Sequence, residues 1–174
     1  TARLALSELQ AQLTRLSIDA GNYGLIHFDF ELDNTVWNGD KVGIIDFDDC
    51  AHYWFVADIA FALRDLFDDR AEKVDLQNES FQHFIAGYRQ VKEVTQADLE
   101  LIPVFLRLHN LITFAKLQRA LGTPEAHGEP VWLEALRKKL SLKMEIYRDG
   151  FPHTVQFESE SHVSGANPLA VVHQ

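Results

Sequence analysis

Two short acidic stretches contain the residue types that could carry out chemistry on a phosphate group. The first, at residues 27–34, reads HFDFELDN, and the second, at residues 44–48, reads IIDFD. Together they form Asp-x-x-x-x-Asn, followed by an Asp at the end of an apolar run. Phosphoryl transfer from a nucleotide requires one carboxylate that orients and deprotonates the attacking hydroxyl, and an Asn and a second carboxylate that hold magnesium. The order and spacing of these residues therefore predict phosphoryl transfer.

The charge around these stretches also favours a metal ion. Seven acidic residues and one basic residue, Lys41, lie between positions 29 and 49. Two of the acids, Asp29 and Asp46, follow apolar runs typical of strands, and carboxylates crowded at strand ends repel one another unless a cation lies among them. A divalent metal would relieve this repulsion, although a solvated acidic loop would have the same composition.

The predicted elements bring these residues towards one place. Residues 23–28 are typical of a short strand that leads into the loop 29–34. Asn38-Gly39 is a strong signal for a two-residue turn, so residues 35–37 and 41–46 are predicted to form a hairpin. The second arm of this hairpin ends at Asp46, and the loop 29–34 is held between strands.

Helical periodicity dominates the rest of the chain. A capping sequence at Thr95 and a proline at position 103 favour helix starts there, and Gly122 and Gly150 favour helix ends. Four aromatic residues are expected in the core of the helical layer: Phe105, Phe114, Trp132 and Tyr147. The predicted helices cover residues 2–18, 56–70, 78–92, 99–121 and 130–148.

The overall composition limits the partners of the chain. There are 26 acidic and 16 basic residues, for a formal net charge of −10, so binding to nucleic acid is disfavoured and a metal ion or cationic substrate is attracted. The single cysteine, Cys50, cannot form an internal disulfide and fits a reducing compartment. No apolar run is long enough to span a membrane and no signal segment is visible. We expect a cytoplasmic protein.

Residues 24–60 resemble the kinase-like small-molecule phosphotransferases, the aminoglycoside phosphotransferase and choline kinase group. The pattern of that family is His-Gly-Asp-x-His-x-x-Asn, then an Asp at a strand end, then a helix that opens with Asp-x-Ala. The last part is matched here by residues 58–60, Asp-Ile-Ala.

The resemblance implies a role for each matching residue. Asp29 would be the catalytic base, Asn34 a magnesium ligand and Asp46 the principal magnesium ligand. Asp58 would hold the catalytic loop by hydrogen bonds, although a carboxylate in the first turn of a helix also suits the helix dipole. His27 would support the site, although a histidine there could equally be an ordinary core residue.

Two residues depart from the family pattern. Phe28 stands where the family has glycine, which implies bulkier packing behind the loop. Glu31 stands where the family has a second histidine, and it would either add a carboxylate near the metal or face solvent. Asp48 is a further candidate for the site. Because Asp29, Asn34 and Asp46 are retained, these departures affect the expected substrate more than the reaction.

The larger departure is that no lysine precedes Lys41 and no Gly-x-Gly-x-x-Gly sequence occurs. In the family these features belong to an N-terminal lobe that grips the nucleotide. We therefore expect an α+β fold corresponding to the kinase-like C-terminal lobe alone, a small β-hairpin platform with a mostly helical subdomain. It would occupy residues 1–150, with the catalytic loop at 27–34, the metal-binding strand end at 44–48, the helical subdomain at 56–150 and an irregular tail at 151–174.

The resemblance also implies the activity of a full-length parent protein. That protein would use Mg2+ and ATP or GTP to phosphorylate a hydroxyl of a small molecule such as an aminoglycoside, choline, ethanolamine, homoserine or a sugar. The chain alone is expected to be inactive, and the surface left by the missing lobe is expected to be apolar and to favour self-association.

Two alternatives use the same residues differently. In a haloacid-dehalogenase-type phosphatase, Asp46 would be the nucleophile and Asp48 the general acid and base. That motif should continue with Gly-Thr or Gly-Val, but Asp49-Cys50 follows here, and it should open a βαβ domain. The other alternative is a non-catalytic helical binding module that retains a kinase-like shell.

Overall fold

The computed structural model describes residues 2–67, 74–122 and 130–151. Within these ranges the chain forms six α-helices and four short strands. The helices are α1 (Ala2–Leu13), α2 (Phe55–Ala62), α3 (Glu79–Tyr88), α4 (Gln96–Glu100), α5 (Ile102–Leu121) and α6 (Val131–Gly150), and the strands are β1 (Tyr23–Ile26), β2 (Thr35–Asn38), β3 (Lys41–Ile44) and β4 (Ala51–Trp54).

The four strands form two separate antiparallel pairs. In one pair β1 lies beside β4, with Tyr23 opposite Trp54 and Ile26 opposite Ala51. In the other, β2 and β3 form the predicted hairpin, with Asn38 opposite Lys41. The turn is therefore Gly39-Asp40, one residue later than predicted, and Gly39 adopts the left-handed backbone conformation (φ 60°) that such a turn requires.

The sequence does not predict strand β4, because its pattern after Asp46 favours helices. It matters because β1 leads into the loop 27–34 and β4 leads into α2. The pairing of β1 with β4 thus brings the start of the loop beside the start of α2. This pair also packs closely on the helix, since a Cβ atom added at Gly24 would lie 2.7 Å from the ring of Phe55.

Several helix boundaries follow from local signals. Thr95 and Asp98 form the predicted capping box at the start of α4, and Pro103 lies in the first turn of α5. Helix α1 ends earlier than predicted, at Leu13, and the helix predicted over 56–70 ends at Ala62 and is followed by a 3-10 turn, Arg64–Leu66.

The core has two parts. The larger surrounds α2, where Ala57, Ala60 and Phe61 are fully buried against α3 and α5, and the smaller lies between α1, α5 and α6. Phe105, Phe114 and Tyr147 are buried as expected, but Trp132 is 65% exposed, because it lies in the first turn of α6 and outside both core clusters.

Residues 152–174, most of the predicted irregular tail, lie outside the described ranges. None of the helices in those ranges combines the length and the apolar character that a membrane span would need.

Candidate functional site

The loop after β1 is held by a carboxylate from the first turn of α2. The Asp58 carboxylate accepts a hydrogen bond from the backbone N–H of His27 (3.1 Å to Oδ2) and another from that of Phe28 (2.8 Å to Oδ1). Asp58 is more than a favourable charge at a helix start, because both of its oxygens fix backbone groups about thirty residues away. Hydrogen bonds to a charged acceptor are stronger than neutral ones, so the loop backbone is well determined at this point.

Phe28 adopts a backbone conformation that is unusual for a residue with a side chain. Its φ angle is 71°, in the left-handed region, where an L-residue costs about 1–2 kcal/mol and glycine does not. This explains how the chain can turn sharply here although the glycine of the family pattern is absent. The Phe28 ring is partly buried and packs edge-to-face on Phe61 and Tyr53, with centroids 5.1 and 5.8 Å away, contacts that favour this conformation against its backbone cost.

The backbone brings Asp29, Asn34 and Asp46 to one region. The side-chain amide of Asn34 donates to the carbonyl of Asp29 (2.8 Å), and the carbonyl of Asn34 accepts from the N–H of Ile45 (3.0 Å). Asp46 follows directly, with a φ of 64° that turns the chain away from β3. The loop 29–34 and the end of the hairpin are therefore joined through Asn34, whose side chain is buried.

His27 contacts the same junction through the backbone of Ile45. Its Nε2 lies 2.9 Å from the carbonyl of Ile45, and since a carbonyl only accepts, Nε2 carries the proton. Its ring is buried and lies against Phe47 and Phe30, with centroids 4.7 and 5.7 Å away. Within the part of the chain that is described, its Nδ1 is buried without a hydrogen-bond partner.

The oxygens near this junction suit a magnesium ion. The Asn34 amide nitrogen is used by its bond to the Asp29 carbonyl, so the amide oxygen is the group of this side chain that could bind a cation, and Asp46 is exposed. Magnesium is commonly held by one or two protein oxygens together with phosphate and water, not by a complete protein cage. Among the described residues, no group of three or more His, Cys, Asp or Glu side chains is placed to hold a metal ion.

An arginine that the sequence did not single out lies next to Asp29. Arg64, in the turn after α2, forms an ion pair with Glu31, and its Nη2 lies 3.7 Å from Oδ1 of Asp29. Its Nη1 donates to the carbonyl of Phe61 (2.7 Å). Glu31, expected either to add a carboxylate near the metal or to face solvent, is thus partly buried and paired with the Arg64 guanidinium.

Asp29 also lines a polar cavity of about 240 Å3 between the turn after α2 and helices α5 and α6. His109 on α5 lines the same cavity, and burial, reinforced by the nearby Arg64 charge, lowers its pKa from 6.5 to about 4. The imidazole is therefore neutral at physiological pH and can both donate and accept hydrogen bonds. The other side chains that line the cavity are Arg64, Asp65, Leu106, Asn110, Thr113, Lys116, Lys143 and Tyr147.

Arg64 and His109 were missed because their sequence context is ordinary. Arg64 falls on the non-apolar side of a predicted helix, where a solvated arginine is expected, and His109 lies in an apolar helix without a recognisable spacing to another functional residue. The one available signal was Glu31, since an acid in place of the family's histidine could have prompted a search for a basic partner.

Asp48, the remaining candidate, is exposed, and its neighbour Asp49 forms an ion pair with Lys116 (3.1 Å).

Comparison with known proteins gives consistent matches. The model of a phosphotransferase enzyme family, APH, matches residues 2–94. A curated relative, amicoumacin kinase of Bacillus subtilis (strain 168), is 35% identical over 118 residues, which cover 64% of this chain and 34% of the relative. A solved structure, amicoumacin kinase hAmiN in complex with AMP-PNP, Ca2+ and Ami, superposes with a TM-score of 0.62 and 28% identity, covering 83% of this chain and 44% of that one.

These matches confirm the expected α+β kinase-like fold. The chain spans about a third of the length of the curated relative that it matches. The phosphatase alternative required a βαβ domain with parallel strands, but the strands in the described residues pair only in antiparallel fashion.

Proposed function

The chain belongs to the phosphotransferase enzyme family, APH, and from that premise we propose that it carries the catalytic loop and metal-binding strand end of an ATP- or GTP-dependent phosphotransferase. The acceptor would be a hydroxyl group of a small molecule. The observation that supports this proposal is the junction of the loop and the hairpin at Asn34, whose side-chain amide donates to the Asp29 carbonyl and whose backbone carbonyl accepts from Ile45, the residue before Asp46.

In the proposed reaction, a carboxylate oxygen of Asp29 accepts the proton of the acceptor hydroxyl. The acceptor oxygen forms a bond to the γ-phosphorus while the bond from that phosphorus to the bridging oxygen breaks, which releases the nucleoside diphosphate. Asn34 and Asp46 would hold Mg2+, which neutralises charge on the phosphates. His27 and Asp58 take no part in the transfer and keep the loop in place through backbone contacts.

We propose the cavity beside Asp29 as the acceptor site. It opens next to the proposed base and is lined mainly by polar and charged side chains, together with the neutral imidazole of His109. Such a lining suits a polar molecule with several hydrogen-bonding groups. Amicoumacin is the first acceptor to test, because the curated relative is an amicoumacin kinase. Aminoglycosides, choline, ethanolamine, homoserine and sugars are the comparison set, and the net charge of −10 favours a cationic member.

The first test is Asp29→Asn in the full-length protein. Since Asp29 acts on the acceptor hydroxyl, we expect phosphoryl transfer to fall by about 10²- to 10⁴-fold, measured by phosphate incorporation into the acceptor. Nucleotide and metal affinity, measured by calorimetry, should stay nearly unchanged.

Two results would overturn the proposal in different ways. Trapping an aspartyl-phosphate on Asp46 would favour the phosphatase alternative, in which that carboxylate is the nucleophile. A wild-type protein that binds the acceptors but transfers no phosphate to any of them would favour the non-catalytic binding module.

The 174 residues by themselves are proposed to correspond to a C-terminal lobe at 1–150 and to lack kinase activity. Many of the groups that position a nucleotide come from the other lobe in this family. We therefore expect no detectable binding of ATP with magnesium in calorimetry of the isolated chain. Micromolar binding would mean that the 174 residues already contain a nucleotide site.

A further inference from the structure

Arg64 is held at three points around the proposed base. One is the Phe61 carbonyl at the end of α2, the second is the Glu31 carboxylate, and the third is Asp29, at 3.7 Å. The side chain of Arg64 is 18% exposed, whereas those of Glu31 and Asp29 are 33% and 41% exposed, so the guanidinium side of these contacts is the part shielded from water. Exposed pairs contribute little because two mobile chains must be ordered in water. Here the carbonyl already fixes the guanidinium, and Glu31 belongs to the same loop as Asp29.

The two acidic contacts of Arg64 differ in kind. The contact with Glu31 is a direct hydrogen bond, whereas the separation of 3.7 Å from Asp29 is too long for one. A direct bond would use one of the acceptor positions of the Asp29 carboxylate. At the longer distance the guanidinium orients the carboxylate by its charge and leaves the oxygen accessible. It also offsets the repulsion between Glu31 and Asp29, which are two residues apart in one loop.

We infer that Arg64, through its ion pair with Glu31, is a positioning residue that sets the orientation of the Asp29 carboxylate towards the acceptor cavity. The inference rests on the proposed function of Asp29. The histidine of the family pattern is replaced by Glu31 here, and the Glu31–Arg64 pair is the arrangement that this chain uses at that position. Arg64 also lines the cavity, so the KM for the acceptor is measured beside kcat: an effect on kcat supports orientation of Asp29, and an effect confined to that KM would instead indicate direct contact with the acceptor.

The test compares Arg64→Met, Arg64→Lys and Glu31→Gln in the full-length protein, with Arg89→Met as the matched control. Arg89 also donates to a backbone carbonyl, that of Val94 (3.1 Å), but does not line the cavity beside Asp29. Misplacement of a catalytic group by about 1 Å costs about 10²-fold in rate. We therefore expect Arg64→Met to lower kcat by about 10²-fold, with the KM for nucleotide within about threefold of wild type.

The other variants separate positioning from general stability. Lysine keeps the charge but lacks the planar fork that binds a carbonyl and a carboxylate together, so Arg64→Lys should recover part of kcat. Glu31→Gln should lower kcat by less than Arg64→Met, because the carbonyl anchor remains. Circular dichroism on each variant establishes that it is folded. A kcat for Arg64→Met equal to that of Arg89→Met would overturn the inference.

Hydrogen–deuterium exchange of the same variants provides a readout that needs no substrate. Loss of the positioning contact should raise exchange over residues 27–34 in Arg64→Met and leave it unchanged in Arg89→Met. If wild type transfers no phosphate but this difference is present, the proposed function fails and the positioning of the loop by Arg64 stands. If exchange over the loop is the same in both variants, the inference about Arg64 fails whatever the activity.

Discussion

The catalytic loop at 27–34 and the hairpin at 35–44 are neighbours in sequence but are held in different ways. The loop is fixed from beneath by Asp58 and Arg64, both supplied by α2 or the turn after it. The hairpin is held by pairing between its own strands and by hydrogen bonds at its base, from Thr35 to the Leu32 carbonyl and from Ile45 to the Asn34 carbonyl. Four of its large apolar side chains are exposed: Val36, Trp37, Val42 and Ile44.

Within the described residues, the loop therefore has its supporting contacts, whereas the apolar side chains of the hairpin are left exposed. The geometry of the loop depends on polar contacts to a helix whose apolar side is fully buried, so its shape is set within the described part of the chain. The hairpin instead presents apolar surface of the kind that normally lies against another surface. In the proposed function that surface would face the second lobe, and in the isolated chain it is expected to promote self-association.

The largest expected effect is a difference in stability between a substitution beneath the loop and one in the hairpin. Phe61→Ala should destabilise the protein by about 3–5 kcal/mol, because Phe61 is fully buried under Phe28 and its removal leaves a cavity. Trp37→Ala, in the exposed hairpin, should change the free energy of unfolding by less than about 0.5 kcal/mol. Urea denaturation measures both. Equal losses would mean that the hairpin is buried in solution, for example by a second copy of the chain, which sedimentation would detect.

A second, smaller effect tests how the loop is held. Asp58→Ala removes both hydrogen bonds to the loop backbone and should cost about 2–3 kcal/mol in urea denaturation. Glu79→Ala is the matched control, because Glu79 is an exposed carboxylate in the first turn of α3. A helix-dipole interaction alone is worth about 0.3–1 kcal/mol. Losses of similar size in the two variants would reduce Asp58 to a favourable charge at a helix start.

The smallest effect concerns the cavity beside the loop. The pKa of His109 is lowered to about 4 in the folded protein, while in the unfolded chain it is near 6.5. Between these values the unfolded chain binds more protons, so stability is lost as the pH falls, by about 2 kcal/mol from pH 7 to pH 5. From pH 7 to pH 5, the free energy of unfolding of His109→Gln should therefore fall by about 2 kcal/mol less than that of wild type. His83→Gln, at an exposed position, should match wild type, and an unchanged acid profile in His109→Gln would show that His109 is accessible to water.

The sequence was sufficient for features that depend on neighbouring residues. The capping box at Thr95, Pro103 in the first turn of α5, and the hairpin around Gly39 all follow from backbone preferences over a few positions. The hairpin turn was misplaced by one residue because Asn38-Gly39 and Gly39-Asp40 are both acceptable turn pairs. The short strand β4 was missed because its four residues, AHYW, have no clear period and acquire their conformation from pairing with β1.

The residue types and their order can be read without the fold: two Asp residues follow short apolar runs and an Asn lies between them, in the order that phosphoryl transfer requires. How these residues are held depends instead on contacts between distant parts of the chain. Asp58 accepts hydrogen bonds from the loop, and Arg64 pairs with Glu31, so each contact joins residues about thirty positions apart. The left-handed backbone at Phe28 occurs where the loop meets Asp58. No local preference encodes such contacts, because they form only when β1, β4 and α2 have packed into one core.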